Sequence, residues 1–328
     1  MALNRRVKSV ALVAGALLLF GLGTVTYLLA AFPKVGAAPA LTVQSSPALL
    51  EHGRYLATHV SACIDCHSQR DWQRFSAPIV PLTEGKGGER FGAETGIPGT
   101  IFAKNITPAA LASWSDGELI RAFTVGVSKD GSALFPLMPY PSYAAMCEGD
   151  VHAVVAYLRS LRPIENHVPA SKLSFPMNLI VRTIPAPASP GPCPDPTNTV
   201  AQGAYLAKIA GCAECHTPKN HGKPLPGMAF AGGFAFEGMP NGGGTVRSSN
   251  ITPDNGTGIG TWKREDFIQR FKAFASSAAA VAVKPGAFNT VMPWTIYAGM
   301  TEADLGAIYQ YLRTVPAVNN SVERWQEP

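Results

Sequence analysis

The chain has 328 residues, of which 46% are hydrophobic and 15% are charged, with 32 glycines and 28 prolines. That hydrophobic share is too large for an intrinsically disordered chain, and the length suffices for two ordinary domains with cores. The net charge of +5 is small and spread along the sequence. It lacks the clustered Lys/Arg stripe of a nucleic-acid surface, so we predict no nucleic-acid partner.

An apolar segment near the N-terminus follows basic residues. Arg5, Arg6 and Lys8 precede an uncharged run of 23 residues from Val10 to Phe32. A helix needs about 20 residues to cross a bilayer core, and basic flanks stay on the cytoplasmic side. We therefore predict a membrane anchor over residues 1–40, in a bacterial inner membrane, with the remaining chain in the periplasm. A cleaved signal peptide is the alternative, although its apolar core would be shorter, about 7–15 residues.

The remainder of the chain repeats itself. Five segments of the first half have counterparts in the second, in the same order and at offsets between 145 and 154 residues. The pairs are GRYLATHVSACIDCH with GAYLAKIAGCAECH, GTIFAKNITP with GTVRSSNITP, WSDGELIRAF with WKREDFIQRF, MPYPSYAAM with MPWTIYAGM, and AYLRSL with QYLRTV. Chance does not preserve both order and spacing, so the sequence predicts two copies of one module.

Each module is predicted to form three helices joined by long loops, with few and short strands. In the first module, Leu119, Ile120 and Phe123 have helical apolar spacing, and Ser115 with Glu118 fits a capping box.

Three further positions carry expectations about packing and helix ends. Thr301 is expected to cap the last helix of the second module. Gly53 and Gly203 occupy matching places in the first helix of each module. We expect that helix to cross the last one closely there, because glycine leaves no side chain at the contact.

The segment between the modules is rich in proline. Residues 163–196 hold nine prolines, so we expect an extended linker without helix. Cys147 and Cys193 have no counterparts in the repeat. In an oxidising compartment they could pair, and otherwise they would be two buried free thiols.

Each module contains one CxxCH motif, CIDCH at 63–67 and CAECH at 212–216. Residues i, i+3 and i+4 of a helix share a face, so one turn presents two thiols and an imidazole together. Two thioether bonds to haem vinyl groups and one imidazole on the iron need that arrangement, and CxxCH is the spacing of c-type haem attachment. We predict two covalently bound haem c, held by Cys63, Cys66, Cys212 and Cys215, with His67 and His216 as axial iron ligands. A zinc site would need a second pair of ligands near each motif, and the sequence offers none. A thioredoxin-like dithiol would need a βαβ context, which the sequence also lacks.

The second axial ligand is expected to be a methionine. Met138 and Met292, each followed by proline, lie 71 and 76 residues after the proximal histidines. A proline beside the ligand would stiffen the loop that holds sulfur over iron. Met146 and Met300 are duplicated equally well. Either pair could therefore consist of ordinary core side chains and not of iron ligands. Asn105 and Asn250, each followed by Ile-Thr-Pro, are expected either to order a loop at a haem edge or to form ordinary turns.

The tandem modules, the NITP segments, DGSALFPLMPYPSY, NITPDNGTGIGTW and the linker KLSFPMNLIVR resemble the membrane-bound cytochrome c subunits of bacterial periplasmic dehydrogenases. The alcohol and aldehyde dehydrogenases of acetic acid bacteria are the best-known group. The resemblance covers residues 45–320. It implies small helical cytochrome c domains that pass electrons from a partner dehydrogenase toward quinone, a terminal oxidase or another cytochrome. Those subunits typically carry three haem modules, whereas this chain has two.

The sequence thus predicts a mainly α protein with two tandem cytochrome c domains behind an N-terminal transmembrane helix. The expected divisions are an anchor over 1–40, domains over 45–162 and 199–322, and a Pro-rich linker over 163–198. We predict an electron-transfer protein rather than an enzyme. The alternative is a dihaem enzyme such as a peroxidase or a thiosulfate-oxidising cytochrome. That would need an exchangeable axial position, whereas both modules offer a methionine.

Overall fold

The computed structural model describes residues 2–93, 96–220, 222–276 and 281–328. The chain is 39% helical with short strands. The helices up to the end of the linker are α1 Ala2–Ala31, α2 Pro47–Tyr55, α3 Cys63–Cys66, α4 Pro108–Leu111, α5 Asp116–Val125, α6 Tyr140–Tyr143, α7 Glu148–Ser160 and α8 Met177–Ile180. Those that follow are α9 Thr199–Ile209, α10 Cys212–His216, α11 Arg264–Lys272, α12 Trp294–Tyr297 and α13 Glu302–Leu312. A π-helical segment, Leu56–Val60, continues α2, and a 3-10 turn, Val181–Thr183, continues α8.

Short antiparallel strands form three small sheets. The strands are β1 Arg90–Phe91, β2 Gly99–Phe102, β3 Lys172–Leu173, β4 Lys219–Asn220, β5 Lys223–Pro224, β6 Ala235–Phe236, β7 Thr245–Arg247 and β8 Trp325–Gln326. Two sheets have the same design, with order β1-β2-β3 in the first half and β6-β7-β8 in the second. In each, the outer strand comes from outside the predicted domain, because β3 lies in the linker and β8 lies after residue 322.

Each half is built around a crossing of its first and last long helices, α2 with α7 and α9 with α13. A Cβ atom on Gly53 would lie 1.8 Å from the Ala153 carbonyl oxygen. A Cβ on Gly203 would lie 1.9 Å from the Ala307 carbonyl oxygen. Any side chain would push the helices apart, so the expectation from the sequence is confirmed at both glycines.

The predicted helix starts are confirmed. Ser115 and Glu118 form a reciprocal capping box at the beginning of α5, and the Thr301 side chain accepts a hydrogen bond from the Asp304 amide at the beginning of α13. The helix α5 ends at Gly126, which takes the left-handed conformation (φ 81°) that glycine adopts without strain.

One hydrophobic core runs through both halves. Its fully enclosed side chains include Leu56 and Val154 from the first half and Leu305 and Leu312 from the second. Burial of this kind contributes about 1.5–3 kcal/mol per large aliphatic side chain. The two halves therefore pack against each other through apolar surface, and the linker is not their only connection.

The contact between the halves is reciprocal. The Tyr55 hydroxyl of the first half donates to Asp304 of the second at 2.5 Å. The Tyr205 hydroxyl of the second half donates to Asp150 of the first, also at 2.5 Å. Tyr55 and Tyr205 occupy matching places in the repeat, as do Asp150 and Asp304. The same polar contact is thus made twice, in opposite directions.

The helix starts of α7 and α13 complete this reciprocal contact. The Thr301 amide donates to the Tyr55 hydroxyl at 3.1 Å, and the Cys147 amide donates to the Tyr205 hydroxyl at 3.2 Å. Each tyrosine therefore satisfies one of the unpaired amides at the first turn of the other half's last helix.

The linker is fastened to the first half. Its strand β3 pairs with β2, and the Ser189 amide donates to the Ala144 carbonyl at 3.0 Å. Cys147 and Cys193 form a disulfide, which answers the question the sequence left open. The expectation of a linker without helix was wrong at Met177–Ile180, where the chain forms one α-helical turn after Pro176. Proline is tolerated at such a start, because the first amide of a helix has no partner within it.

Removing the disulfide should destabilise the protein. The bridge joins residues 46 positions apart. A loop of that length restricts the unfolded chain by an amount worth up to about 4 kcal/mol. We expect the Cys147→Ser, Cys193→Ser double variant to unfold at a clearly lower denaturant concentration, followed by circular dichroism. An unchanged midpoint would mean that the disulfide adds nothing to the contacts already made by β3 and Ser189.

Candidate haem attachment sites

Both CxxCH motifs form a single helical turn entered through a left-handed residue. Ala62 (φ 51°) precedes α3, and Gly211 (φ 68°) precedes α10. This kink separates the cysteine turn from the long helix before it. Within each turn, the two thiols and the imidazole come from residues i, i+3 and i+4, as predicted.

The four CxxCH thiols are free in the described residues, and their environment is unlike that of a redox dithiol. Burial raises the pKa of Cys63, Cys66 and Cys212 to about 12 and that of Cys215 to about 11. Cys66 and Cys215 still reach solvent, but protein surrounds them closely enough to disfavour the thiolate. Reactive dithiols have a lowered thiol pKa. The thioredoxin-like interpretation therefore has no support in the local electrostatics.

Each CxxCH histidine is oriented by a backbone carbonyl. His67 Nδ1 lies 2.6 Å from the Lys104 carbonyl oxygen, and His216 Nδ1 lies 2.7 Å from that of Ser249. A carbonyl only accepts, so Nδ1 must donate, and Nε2 keeps its lone pair for a metal. Burial lowers the pKa of both histidines, which favours the neutral, metal-binding imidazole. Such an outer hydrogen bond fixes the tautomer of a metal ligand.

The NITP segments hold these carbonyls in place. The Asn105 side-chain oxygen accepts from the amide and the hydroxyl of Thr107 at 2.9 and 2.7 Å, and its amide group donates to the Ile164 carbonyl at 2.8 Å. Lys104, which receives the His67 hydrogen bond, is the residue immediately before Asn105. The role of the motif is therefore to lock a turn whose first carbonyl orients the histidine.

The second half repeats this arrangement. Asn250 accepts from the amide and the hydroxyl of Thr252 at 2.9 and 2.8 Å, and donates to the Val318 carbonyl at 2.8 Å. Asn105 and Asn250 are buried, and Thr107 and Thr252 are fully enclosed. The sequence left the choice between a cofactor loop and an ordinary turn open, and the segments are turns that serve the site.

One glycine that sequence reasoning missed completes each site, Gly87 in the first half and Gly232 in the second. The Gly87 amide donates to the His67 carbonyl, and the Gly232 amide to the His216 carbonyl, both at 2.8 Å. Both glycines have positive φ, of 69° and 74°. A Cβ atom added to either glycine would lie only 2.4–2.5 Å from the backbone of the NITP turn. The signal was present in the sequence, because each is the first glycine of a Gly-Gly pair at a matching place in the repeat.

The two pairs of methionines differ in exposure. Met146 and Met300 are 1% exposed and belong to the hydrophobic core, as expected of core filler. Met138 and Met292 are only half-buried and lie directly before the short helices α6 and α12. Met138 and Met292 are therefore the more accessible methionine of each pair, although Met138 also packs against the edge of the core.

A tyrosine ties each Met-Pro loop to the CxxCH turn of its own half. The Tyr143 hydroxyl, five residues after Met138, donates to the Ser61 carbonyl at 2.5 Å. The Tyr297 hydroxyl, five residues after Met292, donates to the Ala210 carbonyl at 2.7 Å. Ser61 and Ala210 each lie two residues before the first cysteine of a motif. The methionine loop and the cysteine turn are thereby brought together in both halves.

The donor set fits a covalent haem c. Two neutral thiols and an imidazole with a free Nε2 share one turn, and a half-buried thioether stands in a loop bonded to that turn. When bound, a haem supplies one-electron transfer at its iron. Among the described residues, no group of three or more His, Cys, Asp or Glu side chains is placed so that it could hold a metal ion. A further histidine of the chain, His221, lies outside the described residues.

Comparison with known proteins identifies the class. Residues 200–316 match the family model of cytochrome c, so the chain contains a cytochrome c domain and, with it, the means to bind haem c covalently. Up to 90% of the chain is also homologous to cytochrome c subunits of alcohol and gluconate dehydrogenases.

Three relatives illustrate this homology. The cytochrome c subunit of the quinone alcohol dehydrogenase of Gluconacetobacter polyoxogenes is 30% identical, over 90% of this chain and 62% of its own length. The gluconate 2-dehydrogenase cytochrome c subunit of Pantoea cypripedii is 29% identical, over 85% of this chain and 62% of its own. A protein named diheme cytochrome c-type, from Cereibacter sphaeroides, is 29% identical, over 78% of this chain and 82% of its own. The chain thus spans less than two thirds of the length of the alcohol and gluconate dehydrogenase subunits.

Proposed function

We propose that the chain is a dihaem c-type cytochrome that carries electrons away from a partner dehydrogenase. One haem c would be held by Cys63, Cys66 and His67 with Met138, and the other by Cys212, Cys215 and His216 with Met292. The observation that carries the proposal is the repetition of one complete site. The cysteine turn, the Nδ1–carbonyl hydrogen bond, the Asn-Thr turn, the glycine and the tyrosine tie all occur twice.

The same repetition supports two cytochrome c domains, although the family model matches only the second half. Both halves have the helix crossing at a glycine and the three-stranded sheet. The first half would be a divergent copy of the domain whose sequence the family model still matches in the second.

The packing of the halves supports transfer between the two sites. The π-helical segment Leu56–Val60, which leads into the first motif, packs against α12 of the second half, and α6 of the first half packs against α9, which leads into the second motif. Ser142 Oγ donates to Glu214 Oε1 at 3.2 Å, and Glu214 lies between Cys212 and Cys215. Both cysteine turns therefore adjoin the surface where the halves meet.

The relatives support a dehydrogenase as the partner, and the N-terminal helix supports a location at a membrane. The related cytochrome c subunits of alcohol dehydrogenase and gluconate 2-dehydrogenase are, by their names, parts of dehydrogenases. Within the described residues, Val7–Ala31 is the one stretch long and apolar enough to cross a membrane, a test that a signal sequence would also pass. We infer a retained anchor in a bacterial inner membrane, haem domains in the periplasm, and quinone, a terminal oxidase or another cytochrome as acceptor.

Haem stoichiometry tests the proposal most directly. A pyridine haemochrome assay on the purified chain should give two haems c per polypeptide. The Cys63→Ser, Cys66→Ser variant should give one, because the second site keeps its own thiols. The Cys147→Ser, Cys193→Ser variant serves as the matched control and should keep two. A single haem in the unmodified chain would refute the dihaem assignment.

A further inference from the structure

The end of the apolar helix α1 is held by an arginine from the linker. The Arg182 guanidinium donates to the carbonyls of Leu28, Leu29 and Phe32 at 3.3, 2.9 and 2.6 Å. The last carbonyls of a helix have no partner within it, and a cation is favoured at the negative end of the helix dipole. The linker is thereby fixed at one level along α1, its C-terminal end.

The linker residues around this arginine present apolar surface to solvent. The helix α8 and the 3-10 turn that carries Arg182 pack against α1. Beside that contact, Phe175 is 77% exposed and Ile180 is 44% exposed. Pro176 between them is also exposed. We call Phe175, Pro176 and Ile180 the linker patch.

The surroundings of the linker patch are those of a protein surface that contacts lipid. The patch continues the apolar surface of α1, whose side chains such as Leu22 (65%) and Leu29 (51%) are exposed. Tyr27 and Phe32 form an edge-to-face pair at that end of α1, with ring centroids 6.0 Å apart. Aromatic rings concentrate at the level of lipid headgroups.

The charges at this level fit the same occupant. Lys34 follows the end of α1 directly, Lys172 is exposed just before the linker patch, and Arg182 lies just after it. Basic side chains beside an apolar face are the pattern of segments that lie in a membrane interface, where they meet headgroup phosphates.

We propose that the linker patch inserts into the lipid leaflet at the C-terminal end of α1 and forms a second membrane contact beside the anchor. The proposal rests on the proposed function in one respect, because it takes α1 to be retained in the membrane. Its consequence is positional. The strand β3 directly before the patch pairs with β2, and β2 ends two residues before the Lys104 carbonyl that orients His67. The first candidate site is therefore joined to the membrane surface through a short hydrogen-bonded path.

Lipid-depth labelling of the full haem-loaded chain tests the proposal. The protein is placed in nanodiscs of phosphatidylcholine and phosphatidylglycerol, and Phe175→Cys is labelled with an environment-sensitive fluorophore. With haem on the CxxCH cysteines and Cys147 bonded to Cys193, the new thiol is the free one. Leu225→Cys, a 38% exposed position in the second half, is the matched control.

We expect quenching by spin-labelled lipid, relative to quenching by aqueous iodide, to be at least about threefold greater at position 175 than at position 225. Adding Arg182→Gln to the Phe175→Cys chain should reduce this ratio, because the linker patch is then no longer held at the helix end. Arg182→Lys in the same chain should keep part of the effect.

Two results would overturn the proposal and separate it from the anchor assignment. If both labels are quenched mainly by iodide while the protein stays in the nanodiscs, α1 anchors the chain but the linker patch does not enter lipid. If the protein does not enter nanodiscs at all, the anchor assignment fails as well.

Discussion

Replacing Met292 with histidine is expected to lower the reduction potential of one haem and leave the other unchanged. Thioether sulfur favours the reduced iron, whereas a second imidazole favours the oxidised iron. The fall should be on the order of 0.1–0.3 V, within the ~0.8 V range that axial ligands span. Spectroelectrochemical titration of the purified protein would resolve the two steps. The long-wavelength sulfur-to-iron absorption band should lose the contribution of one haem.

The equivalent change in the first half gives the complementary result. Met138→His should lower the other potential and remove the other share of the same band. Carrying both changes, the chain should lose the band entirely while it still binds two haems c through its cysteines.

The buried methionines provide the matched control. Met146→Leu and Met300→Leu keep the volume of a 1% exposed side chain and cost less than about 1.5 kcal/mol. Both potentials and the absorption band should be retained. If Met300→Leu abolished half of the band and Met292→His did not, the axial assignment would pass to the later methionine of each pair.

Gly203→Ala is expected to cause a large loss of stability in the second half. The added Cβ would lie 1.9 Å from the Ala307 carbonyl oxygen, so α9 and α13 would have to separate. Overpacking of a core costs about 3 kcal/mol at the upper end of its usual range. The thermal midpoint should therefore fall by roughly 6–12 °C, followed by circular dichroism.

A glycine in a similar helix but with open space beside it is the control. A Cβ on Gly149 in α7 would meet nothing closer than Cys193 Sγ at 3.9 Å. Because alanine is a better helix former than glycine, Gly149→Ala should be neutral or slightly stabilising. Equal midpoints for Gly149→Ala and Gly203→Ala would show that the helix crossing is not as close as described.

The repeat explains why so much of the fold could be predicted. Comparing two copies within one chain revealed the helix crossing at Gly53 and Gly203, and the cap at Thr301 followed from the local sequence alone. The outer hydrogen bonds of the histidines could not be found in this way. Their acceptors are backbone carbonyls, at Lys104 and Ser249, and every residue has one, so only the folded path of the chain singles these out.

The linker shows where prediction from local composition failed. Its proline content correctly predicted extended chain over most of its length, but it concealed the helical turn at Met177–Ile180. That turn forms because α1 and Arg182 supply contacts that the local sequence does not encode. Tertiary contacts outweigh propensity in such short segments.

The reciprocal contact of Tyr55 with Asp304 and of Tyr205 with Asp150 has the form of an isologous interface, in which two copies present the same surface to each other. Here the copies belong to one polypeptide, so their association does not depend on protein concentration. A linker of this kind raises the effective concentration to about the millimolar range. Because the two copies are parts of one polypeptide, their residues at matching places can also differ. Asp150 receives a hydrogen bond from His52, whereas Asp304 faces Gln202 at the matching place. A symmetric homodimer could not give its two halves different neighbours, whereas the two copies within this chain already have them.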